Sequence, residues 1–278
     1  RLQMKKIYLV LLSIIFSLSF INPVLAASVK NLSVPFTVQA PDSDWGQPWQ
    51  DACEETVITM VDYFYSNKKF TSDTAKKSIL EIINKKNNFF GESLDENAET
   101  IVNIINKFFA WKAEIVKNPT LEQIKAEIDN GRPIIIPVHG KYLYNPYFRN
   151  GGPDYHSIVI SGYDEDKKEF IVQEPGTRRG LDFRYSYDTI MNAMHDFRPN
   201  LQTKFGEKIA IFTNERKKLI GAPIKAVNDS KVYLLENGLK RHILNETVFL
   251  QNGWMWIQII PVTKEFLDNL PTGEDIKT

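Results

Sequence analysis

The chain has one cysteine, Cys53, set in Asp44-Trp45-Gly46-Gln47-Pro48-Trp49-Gln50-Asp51-Ala52-Cys53-Glu54-Glu55. There a loop punctuated by Trp and Pro gives way to apolar residues at Val57, Met60, Val61 and Phe64, the spacing of a helix that buries one face. The thiol therefore falls at a helix N-terminus, where unpaired N–H groups and the positive end of the dipole favour thiolate and suit a nucleophile. The other reading of a lone Cys is a small buried hydrophobe. Glu54 and Glu55 follow directly, and two carboxylates beside the thiol should raise its pKa against the dipole.

A nucleophilic thiol needs a base, a group that orients the base, and donors for the oxyanion. His156 stands at the start of a β-branched run, after Gly151-Gly152-Pro153-Asp154-Tyr155, and Glu174 lies at the end of the next run. Between the runs Asp164-Glu165-Asp166-Lys167 has hairpin turn chemistry, which makes them antiparallel neighbours and brings the start of one beside the end of the other. A strand-end histidine and a turn acid with no joint role are the alternative. His139 is the rival base, ending a neighbouring strand with no acid placed to orient it. Thiolate zinc sites need several Cys or His in tight spacing, and the four histidines are scattered, so no metal and no cofactor is expected.

The elements that must hold these residues change character along the chain. Lys5 and Lys6 precede an apolar run from Ile7 to Ile21, and Val24-Leu25-Ala26 offers small residues for cleavage, so residues 1–27 read as a signal peptide. The mature chain is then expected outside the cytoplasm, secreted or at the cell surface, where a single thiol forms no internal disulfide and suggests function. Removing Arg1, Lys5 and Lys6 turns 34 basic against 34 acidic residues into 31 against 34, a net charge of −3. That balance argues against nucleic acid or an anionic membrane as partner of the mature chain.

After an extended, proline-bounded Val34–Pro41, helices are expected from Cys53 to about Ser66, from Ser72 or Asp73, behind a Ser93–Glu96 capping box, and behind Thr120–Gln123 with Gly131 closing it. The second half turns to strands at 134–139, 157–163, 169–173 and 208–213, with a short helix around Thr189 to Met194. Helices followed by an antiparallel sheet make an α+β fold. Asn214–Lys218 is a charged break, which sets domains at 28–214 and 219–278. Beyond it an Asn237-Gly238 hairpin, a helix from Glu246 to Gln251, and Trp254, Trp256, Ile257, Ile259 and Ile260 should form a small core.

Cys53 with Gln47 six residues earlier, Tyr155-His156-Ser157-Ile158-Val159-Ile160-Ser161-Gly162-Tyr163-Asp164, and Glu174-Pro175 after the next strand resemble the C39-like group of papain-fold cysteine peptidases over about residues 33 to 212. The resemblance implies a papain-like fold, Cys53 as nucleophile, His156 as base and acid, Glu174 as its orienter and Gln47 as oxyanion donor. Gln50, three residues before the thiol, competes for that last role. Residues 219–278 resemble short hairpin-plus-helix modules appended to bacterial surface proteins, which implies a possible cell-surface contact. Trp45, Trp49, Tyr144 and Tyr155, with Tyr142, Tyr147 and Phe148 nearby, could line a groove for an extended chain. The expected function is therefore a secreted bacterial cysteine peptidase acting on peptides or cell-wall peptides. The alternative is a non-catalytic relative that binds a partner at the cell surface, which the acids beside Cys53 favour.

Overall fold

The computed structural model describes residues 28–277 other than 110, 200–201, 216–218, 220, 227–228 and 257–258. The expected signal peptide, Arg216 to Lys218 of the charged break, and Ile257 lie outside the described residues. The chain runs β1 (Val29–Asn31), α1 (Cys53–Tyr65), α2 (Ser72–Phe90), α3 (Ala98–Phe108), β2 (Trp111–Lys117), α4 (Leu121–Asp129), β3 (Ile134–Val138), β4 (His156–Asp164), β5 (Glu169–Gln173), β6 (Phe183–Ser186), α5 (Tyr187–Ala193) and β7 (Ile209–Glu215). These strands form one antiparallel sheet in the order β2-β7-β3-β4-β5-β6, with β1 paired to β4. The fold is α+β, as the sequence pattern predicts.

Alternation along the central strands feeds two cores, one on each face of the sheet. Ile134, Ile136, Ile158, Ile160 and Val172 pack with Ile124 and Ile128 of α4 and Ile190 of α5. Ile135, Val159 and Ile211 pack on the other face with Val57, Ile58 and Val61 of α1 and Ile101, Ile104 and Ile105 of α3. Burying each such side chain contributes about 1.5–3 kcal/mol, so β3 and β4, covered on both faces, are rigid supports for whatever their ends carry.

Two elements differ from the sequence pattern. The third helix begins at Ala98 behind Asn97, whose side chain accepts from the Thr100 N–H at 2.9 Å, and not behind Ser93. Ser93 does bond Glu96, but that carboxylate turns inward to Lys86, so the pair closes a loop instead of capping a helix. Strand β2 is the second: Trp111 and Ala113 are buried while Lys112 and Glu114 are exposed, a period-2 signal inside a stretch otherwise read as helical.

Past β7 the chain builds a second sheet from β8 (Pro223–Ala226), β9 (Val232–Glu236), β10 (Leu239–Ile243) and, after α6 (Glu246–Gln251), β11 (Ile260–Val262); α7 (Lys264–Asp268) follows. Its order is β10-β9-β8-β11, and Asn237 and Gly238 both take positive φ in the β9–β10 turn, the conformation an Asn-Gly pair favours. Leu234, Ile243, Val248 and Phe249 form one small core, and Leu219, Ile224, Leu235, Phe266 and Leu267 another. Trp256 differs from expectation: it is exposed and stacks on Phe249 at 4.4 Å from outside. Among the described residues, the two small cores contain none of the first 215, and the ion pair Lys107–Glu265 at 2.9 Å joins α3 to α7 across the two parts. An ion pair with one partner largely exposed contributes about 0–1 kcal/mol. A chain ending at Glu215 should therefore unfold cooperatively within a few degrees of the full chain, as followed by circular dichroism on heating. A truncated chain with no cooperative transition would show that the second sheet is needed for the first.

Candidate active site

Cys53 is the first residue of α1, and Ala52 at the N-cap offers the open N–H groups of that turn no side-chain acceptor. The loop leading into it is pinned by Gln39, a buried residue whose Nε2 donates to the backbone oxygens of Trp49 and Gln50, each at 3.0 Å. The thiol is 3% exposed and donates to Glu54 Oε2 at 3.0 Å, while Glu54 Oε1 accepts from the Glu96 N–H at 2.6 Å. Burial first and Glu54 second push the Cys53 pKa well up, in the direction the adjacent acids predict. Glu54 is itself pushed well above the carboxylate range by burial and then by Glu55. Glu55 is raised by burial and pulled back by Lys86, 3.1 Å away. Lys86 also lies 3.3 Å from Glu96, so the buried Glu55 and Glu96 carboxyls share one ammonium, and Glu54 beside them has none among the described residues.

Opposite this cluster, His156 opens β4 and its Nε2 meets Glu174 Oε1 at 2.5 Å, both residues being buried. The hairpin by itself does not accomplish this. From Asp164↔Glu169 to Gly162↔Ile171 the β4–β5 register is regular, and beyond Ser161 it shifts by one, to Ile160↔Val172 and Val159↔Gln173. Continued one step, the shifted register sets Glu174 opposite Ile158, on the face His156 shares; without the bulge it would face Val159, and its side chain would point to the other side. Glu174 is then fixed from three sides. Its Oε1 also accepts from the Gly176 N–H at 2.8 Å, its Oε2 accepts from the Tyr185 hydroxyl at 3.0 Å, and that hydroxyl accepts from Asn145 Nδ2 at 2.7 Å. A Cβ on Gly180 would lie 1.8 Å from the Glu174 carbonyl oxygen, so only glycine fits where the loop folds back on the acid. Phe148 stands edge-on to the His156 ring at 5.6 Å.

Cys53 and His156 line one cleft of about 840 Å³, with Gln39, Trp45, Gln50, Asp51, Asp95 and Tyr155 among its other walls. Of the aromatic residues expected at a groove, Trp45 and Tyr155 line this cleft. Tyr155 is largely buried, and its hydroxyl donates to the Glu96 carbonyl at 2.7 Å. Three expected site residues lie elsewhere. Gln47 donates to Asp51 and faces a separate hollow beside Pro48 and Lys86, because the turn before the short helix at Trp49–Asp51 points it away; Gln50 lines the cleft instead. Trp49 packs inward against Ala40, Ala52 and Ile79. Tyr144 is 78% exposed in a left-handed turn outside the cleft. His139 bonds the Asp154 carbonyl through Nδ1 at 2.6 Å and does not line the cleft. The residues missed, Gln39, Asp95, Asn145 and Tyr185, come from loops and a short edge strand far apart in sequence, with no spacing to mark them. Among the described residues no helix is long and apolar enough to cross a membrane.

The profile of the Peptidase_C39 like family matches residues 31–200. A crystal structure assigned to a C39-like peptidase of Bacillus anthracis aligns with 68% of this chain and 99% of its own at 17% identity, with a TM-score of 0.46. No curated protein matches the chain.

Two predictions follow from the charges around the thiol. Glu54→Gln removes the nearest group that disfavours thiolate, so iodoacetamide should label Cys53 at lower pH than in the parent; an unmoved pH curve would assign the raised pKa to burial and the more distant Asp95 and Glu55. Asp95 is pushed up to about 6, by burial first and then by Asp51. A carboxyl raised on folding contributes stability that is complete below its unfolded value near 4 and lost as pH rises through about 6. Asp95→Asn should therefore raise the melting temperature at pH 8 and leave it nearly unchanged at pH 4, and an equal shift at both would contradict this origin.

Proposed function

The chain belongs to the Peptidase_C39 like family, and on that premise we propose that it is a cysteine peptidase cutting peptide or related amide bonds with Cys53, His156 and Glu174. The observation that carries this reading is the His156 Nε2–Glu174 Oε1 contact at 2.5 Å on the wall of the cleft that Cys53 also lines. With Nε2 given to the carboxylate, Nδ1 is the nitrogen left for the thiol. In the proposed reaction the thiol turns from Glu54 to His156, loses its proton to Nδ1, and Sγ attacks the carbonyl carbon of the scissile bond. His156 returns the proton to the leaving amine, then takes one from the water that cleaves the thioester. The oxyanion is met by the open N–H groups at the start of α1 and by Gln50, whose side-chain amide has no partner among the described residues, while both amide hydrogens of Gln39 are taken. Residues 1–27 direct the chain out of the cytoplasm of a bacterium, and the second sheet provides contact with a cell-surface partner.

A second reading has its own observation. The thiol is buried, bonded to Glu54 and raised in pKa, which suits a member of the fold that binds without cutting. Turnover of a peptide library separates the two. As a peptidase, the chain loses all turnover in Cys53→Ala and in His156→Ala, whereas Glu174→Gln keeps a residue of activity, because an amide still holds the ring but does not stabilise the imidazolium, a difference of about 10⁴ in the serine triad. Gln50→Ala should cost roughly 10²–10³ in kcat and Gln47→Ala little. Wild-type turnover in His156→Ala, or none in the parent at any pH, rejects the peptidase reading.

A further inference from the structure

The walls of the cleft carry opposite charge. Asp51 and Asp95 lie on the side of Cys53, while Arg149, Arg178 and Arg179 lie on the side of His156. The three arginines are exposed, and none has a carboxylate partner among the described residues, whereas Arg132, Arg184, Arg198 and Arg241 each pair with one. Their placement is built into the site. The loop bearing Arg178 and Arg179 is closed at one end by Gly176 N–H on Glu174 Oε1 at 2.8 Å and at the other by Glu174 N–H on the Gly180 carbonyl at 3.0 Å. Within it Gly180 N–H donates to the Thr177 carbonyl at 3.1 Å, and Arg179 lies over the Tyr147 ring at 4.6 Å. The acid that orients His156 thus also sets the loop that carries the positive charge.

Unpaired guanidinium groups on a fixed loop match carboxylates, which they bind through paired N–H donors, and a cleft with one sign of charge on a wall concentrates oppositely charged chains. We infer that the cleft takes an extended peptide with acidic side chains laid against the Arg149, Arg178 and Arg179 wall. This rests on the cleft being the substrate site proposed above and names the substrate class, but it requires binding only. The overall charge of the mature chain is close to neutral, so the preference is local to this wall.

The test uses full-length protein carrying Cys53→Ala, with fluorescein-labelled ten-residue peptides alternating Ala with Glu, Gln or Lys, read by anisotropy at two salt concentrations. The Glu peptide should bind about tenfold tighter than the Gln peptide, with an advantage that shrinks at higher salt, and the Lys peptide weakest. Adding Arg178→Glu and Arg179→Glu should remove the advantage and favour the Lys peptide, while Arg198→Glu, outside the cleft, should change nothing. Equal binding of the three peptides, or a Glu preference that survives the double reversal, overturns the inference. Charge-dependent binding together with no turnover by the parent leaves the inference standing and rejects the peptidase reading alone.

Discussion

His156 and Glu174 share a face of the sheet because β4 carries one residue more than β5 opposite it. A strand presents its side chains to alternate faces, so a single-residue shift decides whether the acid reaches the imidazole or points to the other core. The extra residue, Ser161, is secured by its own hydroxyl, which donates to Asn31 Oδ1 at 3.0 Å and accepts from Gln173 Nε2 at 3.2 Å. The next residue, Gly162, lies where β1 crosses, and a Cβ there would stand 2.2 Å from the Lys30 carbonyl oxygen. The short first strand, the bulge and the site acid are therefore one arrangement, and strain at Gly162 would reach His156 through the register.

The thiol side of the cleft is set by the opposite circumstance, an excess of charge with too little compensation. Helix α1 brings Glu54 and Glu55 inside with the thiol, and Lys86 and the Glu96 N–H partly offset them. The helix N-terminus favours anions, but its influence is shared among these carboxyls before it reaches sulfur, and burial works against every anion present. Burial and the neighbouring acids therefore hold the thiol pKa well up despite the helix N-terminus.

Strand-borne and loop-borne residues separate around that cleft. The imidazole and its acid hang from strands buried on both faces, whereas much of the rest of the cleft lining comes from loops, those at 147–153 and 176–180 and those carrying Trp45, Gln50 and Asp95. Glu174 joins the two classes, since its side chain orients the imidazole while its backbone closes the second loop. Among the described residues, none of the second sheet lines the cleft, and none of the first joins the second sheet's cores.

Local signals placed much of this. The apolar spacing after Cys53 puts the thiol at a helix start, the turn residues at 164–167 make β4 and β5 neighbours, and Asn237-Gly238 makes a hairpin, because each depends on residues within a few positions of one another. Properties that depend on distant residues were not legible. The aim of Gln47, Trp49 and Tyr144 follows from how loops settle on helices they are not next to, and a loop aromatic has the same composition whether it lines a cleft or faces solvent. The Asn145–Tyr185–Glu174 relay joins a loop, an edge strand and a turn, and the partner of Glu54 is a backbone N–H 42 positions away. The sequence by itself determined which residues could do chemistry and which elements would carry them. Tertiary structure decided which face they share and how much charge surrounds the thiol, because register and burial are set by contacts between segments that the local pattern does not contain.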